Sequence, residues 1–155
     1  MNTYLLVKWL HIVSSVLMAG TGFGTAFYLF FINRTKNVEA IAEVSRLVVR
    51  ADAWFTTPAV IIQPLSGLWL MREAGWTFSS GWILASLALF ALAGLCWLPV
   101  VWLQLNLRDT ARQCRDEGQA LPAHYWRKAR AWEALGYPAF IAVIVIFFLM
   151  VNKPF

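Results

Sequence analysis

The chain has 155 residues, 60% of them hydrophobic and only 14% charged, and a net charge of +5. Water-facing domains of this size carry charge on roughly 25% of their residues. The composition therefore excludes an ordinary cytosolic enzyme, a disordered chain and a disulfide-stapled secreted domain, and predicts one integral membrane domain over residues 1–155.

A helix that crosses a bilayer needs about 20 mostly apolar residues. The first stretch that qualifies covers residues 4–32 and is interrupted only by Lys8 and His11. Its uncharged part, from Ile12 to Ile32, exceeds the apolar core of a secretory signal, so it reads as a retained helix. An ionisable group inside a span is costly and faces the bundle interior or a cavity, which makes His11 the leading functional residue. Lys8, His11, Ser15, Met18 and Gly22 recur at helical spacing and are expected on one inward face. Below them, Gly20 and Gly24 form a small-xxx-small pair that admits a close second helix or a flat cofactor.

Residues 37–50 mix Ile41, Leu47 and Val48 with Glu39, Glu43 and Arg46. They read as an amphipathic helix on the membrane surface, or as an extension of the second span that serves packing. That span covers residues 53–71. It contains Thr56, Thr57 and Pro58 near one end and Gln63, Pro64, Ser66 and Gly67 further along. Pro64 frees a carbonyl one turn back, and Gln63 is placed to bond His11, a ligand or a neighbouring helix. Arg72 ends this span. The third span covers residues 82–107, with Ser86 and Pro99 inside it, and the fourth covers residues 132–151. The polar segment Arg108–Arg130 between them reads as a solvated hairpin. Asp52 and Glu133 are expected to form structural ion pairs with Arg50 or Arg130. Cys96 in an apolar run and Cys114 in a polar one are expected to lie far apart, with no disulfide.

The cations set the orientation. Ten of the thirteen Lys and Arg fall in the two longer connections, and Lys8, Arg72 and Lys153 fall at the other ends of the spans. The positive-inside rule puts both connections in the cytoplasm and both termini on the outer, periplasmic side. Trp76 and Trp82 on the outer side, and Trp54, Trp126 and Trp132 on the inner side, are expected in the interfacial belts. The same distribution argues against nucleic acid as a partner. The expected fold is an all-α, four-helix membrane bundle in a bacterial inner membrane.

A neutral imidazole inside such a bundle suits a haem axial ligand. The expected cofactor is haem b, with His11 on the iron, Lys8 and Arg72 on the propionates, and Gln63 and Ser66 hydrogen-bonding around them. Met71 and Met150 are the thioether alternatives for the second axial position, and His124 lies on the wrong side for it. The chain has no phosphate-binding glycine loop, no HExxH and no Ser-His-Asp arrangement, so the chemistry would be the cofactor's own.

Several segments resemble known families. The opening Lys8-Trp9-Leu10-His11 is similar to the start of HemJ-type protoporphyrinogen oxidases and CopD-like copper-resistance proteins. A nearly full-length resemblance is to the uncharacterised four-helix family named domain of unknown function 2269. It is carried by Gln63-Pro64-Leu65-Ser66-Gly67, Trp82, Leu98-Pro99-Val100, Trp132 with Gly136, Pro138 and Ala139, and the ending Leu149 to Pro154. The HemJ-type likeness implies a haem-binding membrane protein whose first-span histidine is the axial ligand. Ser86 stands about where those oxidases resemble one another in a lysine. The resemblance thus implies haem binding more directly than porphyrinogen oxidation.

The expected function is electron transfer, or oxidation of a porphyrin-like or quinol substrate, with the bilayer, a quinone and a homodimer or larger membrane complex as partners. The alternatives from other classes are a copper or small-solute transporter and a structural or assembly subunit.

Overall fold

The computed structural model describes residues 2–154. Every element is helical: α1 (Thr3–Thr35), α2 (Val38–Ala51), a π-helical turn (Asp52–Thr56), α3 (Thr57–Glu73), α4 (Gly81–Asp116) and α5 (Ala123–Asn152). Helices α1, α4 and α5 are long and apolar enough to cross a membrane. Helix α3 has 17 residues and continues α2 through the π turn without leaving helical backbone angles. The π turn falls where Pro58 removes a backbone donor; the Thr57 N–H and hydroxyl both donate to the Asp52 carbonyl.

The helices run up and down, so both termini and the α3–α4 loop share one end. There Tyr4 stacks near Trp69, and the Lys153 ammonium lies over the rings of Trp76 and Trp82. The α1–α2 and α4–α5 turns share the opposite, connector end.

The connector end holds the main core. Leu29, Ile41, Ala42, Val48, Leu103, Leu107, Ala111, Tyr125, Ala129 and Trp132 form one buried cluster. Within it the Tyr125 hydroxyl donates to Asn33 Oδ1 at 2.7 Å. Helix α2 belongs to this core and not to a membrane surface, because Ile41, Ala42, Ser45 and Val48 share one buried face.

The expected solvated hairpin at Arg108–Arg130 is corrected. Helix α4 continues to Asp116 and α5 starts at Ala123, so only residues 117–122 connect them, with Gly118 at φ +64° making the turn. Leu103, Leu107, Ala111 and Cys114 on α4 face Tyr125, Ala129 and Trp132 on α5. That apolar stripe keeps both helices going beyond the span, beneath an exposed face dense in charge. At 1.5 Å per residue α4 is about 54 Å long, against a bilayer core of about 30 Å.

The interfacial belt is also corrected. Trp54 and Trp76 are exposed, but Trp82 and Trp132 are core residues at 7% and 5% exposure. Trp82 packs with Met71 and Ile83, which is the bridge between α3 and α4 at the terminal end. The α3 and α4 backbones stay more than 8 Å apart throughout, so the pair α1–α3 and the pair α4–α5 separate above the connector core. Cys96 and Cys114 are both free thiols.

Candidate functional site

The polar residues of the separated half meet between α1 and α3. Ser66 is buried on α3, and its hydroxyl donates to the Ile62 carbonyl at 2.7 Å. It therefore accepts from His11, whose Nδ1 lies 2.8 Å from Ser66 Oγ. On the other side of the ring, Gln63 Nε2 lies 3.3 Å from His11 Nε2. The Ser14 hydroxyl reaches both Gln63 Oε1 and the His11 carbonyl.

The one Ser14 hydroxyl proton is shared between Gln63 Oε1 and the His11 carbonyl. With the amide as placed, Gln63 Nε2–H donates to His11 Nε2 and His11 Nδ1–H donates to Ser66. In that tautomer Nε2 carries no proton and is held by one long hydrogen bond. Gly67 lies flat against the ring: a Cβ added there would stand 3.1 Å from His11 Cε1. The Gln63–Ser66–Gly67 run thus supplies a bond, a second bond and a clearance to one histidine.

Of the expected site residues, the structure brings together His11, Gln63 and Ser66. It leaves Lys8 and Arg72 exposed and, among the described residues, outside every ion pair. Met71 is buried against Trp82, and Met150 is exposed. Ser86 is buried but bonds its own helix, donating to the Trp82 carbonyl.

The inward face of α1 runs through Ser14 and not through Ser15, whose hydroxyl turns back to the Ile12 carbonyl. Both serines lie within helical reach of His11. The continuation decides between them: Ser14, Thr25, Leu29 and Asn33 are the buried residues of α1, and Thr25 and Asn33 were polar marks of that stripe in an otherwise apolar run. Gly20 and Gly24 have no neighbour within 4 Å of an added Cβ, so no helix of this chain packs on that pair.

A second polar group sits deeper, where the helix pairs separate. Asp52 is 7% exposed. Its expected ion pair is corrected: none of the ion pairs includes it, and the Thr56 hydroxyl donates to Oδ1 at 2.8 Å, with Thr25 Oγ1 3.4 Å from the same oxygen. Glu133 pairs with Arg34 at 3.4 Å, not with Arg130. Asp52 turns inward because it continues the buried face of α2, where Ile41, Ser45, Val48 and Asp52 recur at helical spacing. Asp52, Thr56 and Gln104 line the polar end of a cavity of about 180 Å³.

A helical chain with three membrane-length apolar helices and buried polar groups inside them is an integral membrane protein. The chain belongs to the family described as a predicted integral membrane protein (DUF2269), which it matches over residues 5–154. No curated protein and no solved structure matches it.

Proposed function

We propose that this protein is a four-span bundle of a bacterial inner membrane that holds haem b on His11 and moves electrons, or oxidises a porphyrin-like or quinol substrate. The fourth crossing is the π turn with α3, and the connector end, which carries ten of the thirteen Lys and Arg, faces the cytoplasm. The unpacked Gly20–Gly24 face is where a second copy or a larger complex would dock.

The observation that carries the haem reading is the pair of contacts that Ser66 and Gln63 make with the two ring nitrogens of His11. A metal-bound histidine donates its other ring N–H to a fixed acceptor, and Ser66 is such an acceptor for Nδ1–H. Nε2 would offer its lone pair to the iron once the Gln63 amide that bonds it turned aside. Lys8 and Arg72, free of ion pairs near the ends of α1 and α3, have the charge for propionates. When bound, the haem supplies one-electron chemistry; the chain's part is to hold the ring nitrogen neutral, to fix its direction through Ser66, and to keep bulk water out.

One observation favours a second reading, that the cluster is a clasp between α1 and α3: each polar side chain in it already has a partner. The absorption spectrum of detergent-purified protein, oxidised and dithionite-reduced, separates the two. The haem reading expects a sharp reduced α-band, near-stoichiometric haem by pyridine haemochrome, and loss of both in His11→Ala. A colourless protein that takes up no added haemin, or a His11→Ala variant with full haem, removes that reading and leaves the clasp.

A further inference from the structure

At the terminal end one buried donor has no acceptor. Trp82 is the second residue of α4 and is 7% exposed, yet its indole N–H makes no hydrogen bond. An unmade buried donor is costly and calls for a partner. The Trp76 ring stands edge to face with Trp82 at 5.4 Å and offers that N–H at most a weak π acceptor. The Lys153 ammonium, 5.6 Å from the centroids of both rings, is itself a donor and cannot serve.

The indole is aimed at the end of its own helix. Helical side chains lean toward the N-terminus, so a residue covers the turn before its own. The neighbours agree, since Trp76 belongs to the α3–α4 loop and Lys153 follows the last residue of α5. More donors collect there. Ser80 makes no side-chain cap, and its carbonyl bonds only the N–H groups of Ile83 and Leu84. The Gly81 and Trp82 N–H groups therefore leave the 36-residue helix without a backbone acceptor. Among the described residues Lys153 joins no ion pair, and Lys8 and Arg72 share this end with Glu73 as the one acid. Every one of these groups but Glu73 donates or carries positive charge, so the guest is an anion with several acceptor oxygens. Leu84 is the first exposed large apolar side chain of α4, which sets the end of the helix at headgroup depth.

We propose that the end of α4 binds a phosphate group, with one oxygen accepting from Trp82 Nε1 and another facing the Lys153 ammonium and the first-turn N–H groups. Trp76 and Lys153 form the exposed rim and swing aside to admit it, while Met71 and Ile83 close the buried side. The phosphate of a lipid headgroup and a soluble phosphate would use the same donors. None of these residues belongs to the His11 cluster, so the site stands apart from the haem reading.

The test is the indole N–H resonance of Trp82 in isotope-labelled full-length protein, held in dodecyl maltoside, a detergent without phosphate. Its assignment comes from its loss in Trp82→Phe, which keeps the apolar contacts with Met71 and Ile83. The probes are dihexanoyl phosphatidylglycerol, inorganic phosphate, and dihexanoylglycerol, which has the tails without the phosphate. The expected result is a saturable downfield shift with a phosphate-bearing probe and none with dihexanoylglycerol. Saturation by the phosphatidylglycerol alone supports the site with a lipid as its source. Saturation by inorganic phosphate supports it with a soluble anion. Lys153→Gln, a change at an exposed position outside the core, should weaken binding about tenfold, the size of one charge-assisted hydrogen bond. A Trp82 resonance that no probe moves, an equal shift with dihexanoylglycerol, or an affinity unchanged in Lys153→Gln would each overturn the proposal.

Discussion

The connector end and the terminal end of this protein are built on different rules. At the connector end α1, α2, α4 and α5 close around Leu107, Ala111 and Tyr125, all at 0% exposure, beneath a surface of paired and unpaired charges. That is how a water-soluble bundle is held, by burial of apolar surface. Toward the terminal end the large apolar side chains turn outward: Leu65 and Leu95 are 66% and 70% exposed. Lipid is as apolar as leucine, so burial drives little there, and polar pairs and small-residue approaches join the helices instead. The His11–Gln63–Ser14 and His11–Ser66 bonds are those joints. The difference teaches that a rigid, water-facing base holds two helix pairs apart, and that both candidate sites lie in the half the base leaves open.

Substitution tests that contrast directly. Leu107→Ala should destabilise by about 2–5 kcal/mol, the cost of a cavity in a closed core, read as a shift of the unfolding midpoint in mixed micelles. Ser14→Ala should cost about 1 kcal/mol, the usual size of a hydrogen bond between membrane helices. If the serine variant lost as much as the leucine variant, the two ends would not differ in what holds them. The smallest effect is expected on the charged surface of α2. The Arg46 guanidinium bonded to Glu43 holds that carboxyl below its ordinary range. A carboxyl whose folded value is depressed contributes its stability above the ordinary range and loses it as pH falls through the depressed value. The stability gap between wild type and Glu43→Gln should therefore be small at pH about 7, begin to close below the usual glutamate value of about 4.3 and vanish only below the depressed value. A gap that persisted in acid would mean that Glu43 acts through packing and not through charge.

Composition and spacing made the helices legible in the sequence, because a lipid-facing surface cannot be hidden from a count of apolar residues. His11, Gln63 and Ser66 were legible for a related reason: polar groups in an apolar run are few, and helical spacing limits which of them can meet. The continuation of α4 to Asp116 and the early start of α5 at Ala123 were harder to read, since Arg112, Arg115 and Arg127 conceal a stripe of small and apolar residues that only a facing helix turns into a core. Asp52 was misread for the same reason. In the sequence it stands two residues from Arg50 and suggests an ion pair; in the fold it ends the buried stripe of Ile41, Ser45 and Val48 and meets Thr56, away from the cations.

The sequence by itself determined that this protein lives in a membrane, which apolar segments are helices, and that His11, Gln63 and Ser66 lie inside them, since these follow from local composition and periodicity. Only the tertiary structure decided that Ser14 and not Ser15 completes the histidine cluster, that Lys8 and Arg72 stay on the surface, and that a buried carboxyl opens onto a cavity. Each of those depends on the rotation of one helix against another. Such a rotation is fixed by packing between residues far apart in the chain, and no stretch of sequence carries it alone.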